Sequence, residues 1–262
     1  MDDHTTKPIF RINDADIGTV VFVVEGIKEE YRILEQIFVE VLGYVRQGCR
    51  VKDPSFLELR SKRNQNNRVI IIRSSSSSVK SVAGFNDYFD KTYVEFFMER
   101  NISIRYSPIY YIWDRDPGSN SERQMRLAME MMNTSRNSSN NMNGLLLVSY
   151  PCIEAYLISC NDDLAFLPFG VKPKQYVGSH RLSHRNLDSE KIVFGMNAMI
   201  DALLDLGIGF ELADLDDYSD KNKMIFGREE AIRRNNRGEY RLLSLFSMAL
   251  LDLEILVPVE AL

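Results

Sequence analysis

The segment Gly18-Thr-Val-Val-Phe-Val-Val24 constrains the fold more than any other part of this chain. It is a continuous apolar, β-branched run that stops at Glu25-Gly26, and it reads as a strand buried on both faces. Such a strand belongs inside a sheet that helices cover from both sides. A helix is expected at once, from Ile27 to about Leu42. Over that stretch Ile27, Tyr31, Leu34, Phe38 and Val41 share one face at a 3.6-residue period, with Glu29, Arg32, Gln36 and Glu40 mostly opposite.

The same grammar then repeats. Arg68-Val-Ile-Ile-Ile72 predicts a second buried strand, followed by the serine run Ser74 to Ser78, which can border the same rim and hold a phosphate through hydroxyls and backbone N–H groups but reads first as a flexible polar loop. A helix is predicted from about Asn86 to Arg100 with Phe89, Tyr93, Phe96 and Phe97 inward. Pro108-Ile-Tyr-Tyr-Ile-Trp113 is the third strand, and Asp114-Arg-Asp116-Pro-Gly is a turn by composition. Ser119-x-x-Glu122 reads as a capping box opening a helix lined by Met125, Ala128, Met129 and Met132. After an Asn- and Ser-rich surface loop, Gly144-Leu-Leu-Leu-Val148 makes a fourth strand, and Pro151 suits the first turn of a helix that carries Glu154. Strand and helix thus alternate from about residue 18 to 160. That pattern implies an α/β unit whose central parallel sheet has helices on both faces, joined by right-handed crossovers.

From 161 to 262 the pattern changes. Residues 162 to 187 read as a basic loop with Lys172, Lys174, His180, Arg181, His184 and Arg185. Helices are expected at about 188 to 206 and 239 to 253, the latter carrying Leu242, Leu243, Phe246, Leu250 and Leu253. Together they form a helical C-terminal extension that packs on the sheet or offers a homodimer surface. No apolar run approaches the roughly 18 residues of a spanning helix, and the polar, acidic start MDDHTTKP does not resemble a signal peptide. Cys49, Cys152 and Cys160 form no CxxC pair and leave an odd thiol, which fits a reducing compartment. The expected location is cytoplasmic, with no membrane association. A net charge of −5 means that contact with a polyanion must come from local basic patches or from bound metal.

In an open α/β sheet, ligands sit outside the carboxyl ends of the strands. Glu25 ends the first strand, Asp114 and Asp116 follow the third, and Glu154 lies just beyond the fourth, so four carboxylates from distant parts of the chain can meet on one rim. Phosphodiester cleavage needs charge neutralised on the phosphate oxygens, a nucleophile near neutral pH and a stabilised leaving oxygen, all of which Mg²⁺ or Mn²⁺ can supply. Hard cations take carboxylate oxygens and water. On extended backbone Asp114 and Asp116 point to one side and can grip an ion together. Glu25 can hold a second ion or act as a general acid or base. Arg115 points the other way.

The strings VVFVVEG and WDRD, in this order and with this spacing, resemble the TOPRIM domain, a Rossmann-like fold with Glu-Gly after its first strand and Asp-x-Asp after its third. VSYPCIEAYL resembles a segment of the RloB-type TOPRIM proteins, which lie near the OLD-family nucleases and the TOPRIM effector of the PARIS anti-phage system. The resemblance covers roughly residues 18 to 160. It implies Glu25 as the catalytic acid, Asp114 and Asp116 as metal ligands, and Glu154 as a further ligand or positioning group. It also implies an endonuclease of bacterial defence that cuts DNA or transfer RNA as a toxic effector. The chain contains no Gly-x-x-x-x-Gly-Lys-Ser/Thr loop, so an ATPase activity would come from a partner of the ABC or AAA class. The alternative is a non-catalytic TOPRIM scaffold that binds such a partner or nucleic acid. Lys28, Lys172, Lys174, Arg181 and Arg185 are candidates for contact with the nucleic-acid backbone, and the runs Arg60 to Arg68 and Arg228 to Arg241 are further basic patches. His180 and His184 have the four-residue spacing of a zinc pair but no third ligand nearby, and read as loop residues.

Overall fold

The computed structural model describes residues 9–26, 29–47, 56–74, 76–82, 97–98, 101–136, 143–210 and 218–259. Its elements in chain order are β1 (Ile9–Ile12), β2 (Thr19–Val24), α1 (Glu29–Gln36) continued by a π-helical turn (Ile37–Val41), β3 (Tyr44–Arg46), β4 (Phe56–Ser61), β5 (Arg68–Arg73) and β6 (Ile109–Asp114). There follow α2 (Glu122–Met131), β7 (Leu145–Tyr150), α3 (Glu154–Ser159), α4 (Pro173–Ser179), α5 (Ser189–Asp205), α6 (Ser219–Asn235), β8 (Leu243–Ser244), α7 (Phe246–Asp252) and β9 (Leu256–Val259). The helix predicted over 86 to 100 falls largely outside the described residues, although Phe97 is buried.

The central sheet has the order β3-β4-β5-β2-β6-β7-β8, and β1 pairs with β9 apart from it. Its inner strands β5, β2, β6 and β7 run parallel. They are the four strands that the apolar runs predict, and Val20 to Val24, Val69 to Ile72 and Ile109 to Trp113 are almost wholly excluded from solvent. The expectation of a purely parallel sheet is corrected at both edges, where β3, β4 and β8 pair antiparallel with their neighbours. The link from β4 to β5 spans only residues 62–67, closed by Ser61 N–H to Asn67 O at 3.0 Å and Asn67 N–H to Asn64 O at 2.9 Å. That is too short for the crossover a parallel pair requires.

Local chemistry explains the other departures. Ser119 does not cap α2, because its hydroxyl donates to Asp116 Oδ2 at 2.6 Å. Ser121 takes the cap, in a reciprocal box with Gln124. Pro151 precedes α3 without entering its first turn, since the helix begins at Glu154. Within the predicted loop 162–187, Pro173 occupies a first-turn position and opens α4. The stretch 239–253 is not one helix: residues 243–244 extend the sheet beside β7, and only Phe246–Asp252 is helical. Helix α6 was not predicted at all. No helix among the described residues is long and apolar enough to cross a membrane.

Beyond apolar packing, a buried ion pair joins the Asp114–Asp116 turn to α6. Arg115, 1% exposed, donates from Nε to Glu230 Oε1 at 2.6 Å and from a terminal nitrogen to Asn120 O at 2.7 Å. Its guanidinium carbon lies 5.3 Å from the ring centre of Phe226, and Tyr240 Oη donates to the same glutamate at 2.7 Å. Burial works against the Glu230 carboxylate, but hydrogen bonds from Tyr240 and Arg115 outweigh it and hold its pKa below the ordinary value. Removing one partner strands the other charge in the interior. Arg115→Ala is therefore expected to cost about 3–5 kcal/mol of stability, seen as a lower urea midpoint at unchanged m-value. A loss under about 1 kcal/mol, as for an exposed pair, would contradict this role.

Candidate functional site

The carboxyl ends of the four parallel strands open into a cavity of about 650 Å³. β2 delivers Glu25 and Gly26, β6 delivers Asp114, and β5 delivers Arg73 with Ser74, Ser76 and Ser77 behind it. Ile153 and Glu154 enter from the start of α3, Glu29 and Glu30 from the first turn of α1, and Lys174, Val177 and Gly178 from α4. Five carboxylates thus face two cations.

Register sets the contact at the centre. Val24 pairs with Ile112 across parallel strands, so Glu25 comes level with the end of β6, and Glu25 Oε2 accepts the Asp114 N–H at 3.0 Å. Asp114 Oδ1 in turn accepts the Ile153 N–H at 2.7 Å, which ties β6 to the entry of α3. Gly26 lets the next carboxylate in: a Cβ there would lie 3.0 Å from Glu30 Oε2, tighter than side chains normally pack. Glu154 is 4% exposed, and its Oε2 has no hydrogen-bond partner among the described residues. Its other oxygen lies 3.7 Å from Lys174 Nζ.

Burial and mutual repulsion show in the acidities. Burial, reinforced by Glu30 and Asp116, raises the Glu25 pKa to about 7, although the bond from the Asp114 N–H opposes the shift. Burial is also the main cause for Asp114, which Glu30, Glu25 and Glu154 push further above its usual value. Glu30 is raised by burial and by Glu154. Lys174 moves upward because Glu154 lies beside it.

Glu25, Asp114 and Glu154 therefore line one cavity, on the rim the strand order predicts, and Lys174 joins them. Asp116 does not line the cavity. It stays close enough to raise Glu25, but its carboxylate accepts from Gly118 N–H at 2.9 Å and from Ser119, and these bonds lower its pKa. Lys172, Arg181 and Arg185 are exposed and away from the cavity, and Lys28 lies outside the described residues. Glu30 was missed: in sequence it reads as an acid suited to a helix N-terminus, and only Gly26 hints at a close approach. His180 and His184 do not pair. His180 stacks on Tyr176 with ring centres 3.8 Å apart, and His184 lies 3.5 Å from Glu29. Both basic patches are partly neutralised, with Arg60 and Arg68 sharing Glu58, Arg63 on Asp14, Arg234 on Glu122 and Arg241 on Asp205.

The donor chemistry suits a hard cation: the cavity offers carboxylate oxygens, one of them buried without a partner. Among the described residues no three His, Cys, Asp or Glu side chains already stand at ligand spacing about one point. The fit therefore rests on the type and burial of the donors. Comparison of the chain with protein-family models, curated proteins and solved structures finds no match.

A glutamate raised from 4.5 to about 7 binds its proton more tightly in the folded than in the unfolded chain. Its favourable contribution is complete below about pH 4.5 and disappears as pH rises through about 7. In chelator at pH 8, Glu25→Gln should therefore exceed wild type in unfolding free energy by about 1–3 kcal/mol, the span expected for a shift of this size after solvent screening. At pH 4 the two should coincide. Equal stabilities at both pH values would show that Glu25 carries no electrostatic burden.

Proposed function

We propose that this chain is a divalent-metal-dependent endonuclease of TOPRIM type that cleaves phosphodiester bonds in nucleic acid. The observation that carries the reading is the convergence of Glu25, Glu30, Asp114 and Glu154 on one cavity at the carboxyl rim of a parallel sheet. Support comes also from the order Glu25-Gly26 then Asp114-x-Asp116 along the chain, the order of the TOPRIM signature.

Glu25, Asp114 and Glu154 would hold Mg²⁺ or Mn²⁺, with Glu30 adding negative charge beside them and Asp116 shaping the turn. When bound, such an ion neutralises phosphate oxygens, favours hydroxide at neutral pH and stabilises the leaving oxygen. The chain's own groups set the rest. Asp114 is oriented by the Ile153 N–H. Glu25 titrates at about 7 without an ion. As a ligand of a bound cation it would stay ionised, and in a second role, off the ion, it is placed to exchange a proton with the attacking water or the departing oxygen. Lys174, on its helix at the mouth, supplies a positive charge for an incoming phosphate. The reaction adds water across one P–O bond, leaving a phosphate monoester and a hydroxyl. As a biological role we propose a toxic effector of anti-phage defence acting on transfer RNA or DNA, under control of a partner ATPase of the ABC or AAA class.

The rival is a TOPRIM scaffold that binds a partner or nucleic acid without cutting it. The lack of a ligand-spaced carboxylate triad among the described residues favours that version. Purified protein incubated with plasmid and with total transfer RNA in Mg²⁺ or Mn²⁺ separates the two. Cleavage should require the cation and fall by at least about 100-fold in Glu25→Gln, the lower end expected when a positioned proton-transfer group is lost. Undiminished cutting by that variant would remove Glu25 from the chemistry. No cutting, joined to no cation uptake by calorimetry, would favour the scaffold.

A further inference from the structure

The basic side of the cavity is as definite as its acidic side. Arg73 is the last residue of β5, exposed at the rim, and has no ion-pair partner among the described residues. The other cation of the cavity, Lys174, is already beside Glu154 at 3.7 Å. Ser74 is buried, and its hydroxyl donates to Ser76 O at 2.8 Å and accepts the Ser76 N–H at 3.2 Å. Ser77 O accepts from Trp113 Nε1 at 2.9 Å and from Asn120 Nδ2 at 3.0 Å. The described residues of the serine run form a loop, as expected, with its backbone tied at Ser76 and Ser77. These bonds hold Ser77 through its backbone, while its exposed side chain lines the cavity with no hydrogen bond among the described residues.

Position along the rim gives this wall a use. Arg73 pairs with Val24, one residue before Glu25, and the strand order β5-β2-β6-β7 makes the rim run from Arg73 through Glu25 and Asp114 to Glu154. Neighbouring strands stand about 4.8 Å apart. One polyanionic strand laid along the rim would meet the carboxylate row at one phosphate and the guanidinium at the next. A guanidinium offers five donors in a planar fork that matches phosphate oxygens, and a hydroxyl adds another donor.

We propose that Arg73 and Ser77 form a subsite for a non-scissile phosphate of the nucleic-acid strand, next to the carboxylate row that takes the scissile one. The inference rests on the nuclease reading of the cavity. It makes Arg73 a binding residue that sets which phosphate enters the reactive position, and the bonds from Trp113 and Asn120 to the Ser77 carbonyl keep that residue in place beforehand.

The test is fluorescence anisotropy of labelled total transfer RNA and of labelled duplex DNA fragments. It uses the full chain in Ca²⁺, over a range of salt, with cleavage in Mg²⁺ measured alongside. Arg73→Ala should weaken binding about 10-fold, as expected for one charge-assisted contact, and lower the slope of log affinity against log salt by about one phosphate contact. Arg73→Lys keeps the charge and should restore the slope but only part of the affinity. Ser77→Ala should weaken binding without changing the slope. If wild type cleaves and Arg73→Ala binds with unchanged affinity and slope, the subsite is overturned while the nuclease reading stands. If wild type neither binds nor cleaves either probe, both fall together.

Discussion

The hydrogen bond from the Asp114 N–H to Glu25 Oε2 depends on one constraint, the in-register parallel pairing of β2 with β6. Side chains alternate along a strand, so a slip of one residue would turn Phe22 and Val24 to the opposite face and move Glu25 away from the end of β6. Because β2 is apolar on both faces, it is the close packing of unlike side chains such as Phe22 against Phe38 and Tyr110 that opposes the slip. The same packing that stabilises the sheet therefore holds a carboxylate where it would not go by itself. Neighbours then follow: Asp114 reaches the Ile153 N–H, α3 starts at the rim, and Glu154 lies beside it.

Two groups of buried charge in this molecule are built differently. Around Arg115 acid and cation are matched: the guanidinium and Tyr240 both donate to Glu230 Oε1, and the cluster joins the sheet to α6 without opening toward solvent, although Glu230 Oε2 has no hydrogen-bond partner among the described residues. Around Asp114 the acids outnumber the cations, repel one another and face an open cavity. A cluster with its charges matched is what stability requires, since an uncompensated buried charge costs several kcal/mol. An underpaired one, open to a cavity, is the arrangement that a positively charged ligand would stabilise. This contrast assigns structure to the first group and supports function for the second. Arg73 and Ser77 would complement it on the neighbouring strand end.

The legible parts of the sequence were those in which one physical signal dominated. β2, β5, β6 and β7 are unbroken apolar runs because both faces are covered, and their order alone predicts that Glu25, Asp114 and Glu154 share a rim. The edge strands were not legible. β4 alternates buried and half-buried residues, and β8 has only two residues. Helix α6 escaped notice because its buried face includes Asn222, Glu229 and Glu230, polar residues whose place inside depends on partners remote in sequence. Glu30 shares that difficulty, because it resembles an ordinary helix-start acid until Gly26 lets it into the cavity. In sequence Lys174 is one of five basic candidates, and only α4 singles it out by bringing it to the cavity. Asp116 shows the converse, since a residue in a motif position spends its oxygens on the local turn that Ser119 and Gly118 close.

The central claim is that carboxylates far apart in the chain meet as the ligands of a hard cation. Anomalous diffraction from crystals soaked in Mn²⁺ tests it most directly. The account predicts a manganese peak in the cavity, within coordinating distance of Glu25 and Asp114, that is lost in Asp114→Asn. A clean map at the rim, or a manganese ion bound only elsewhere, would contradict it.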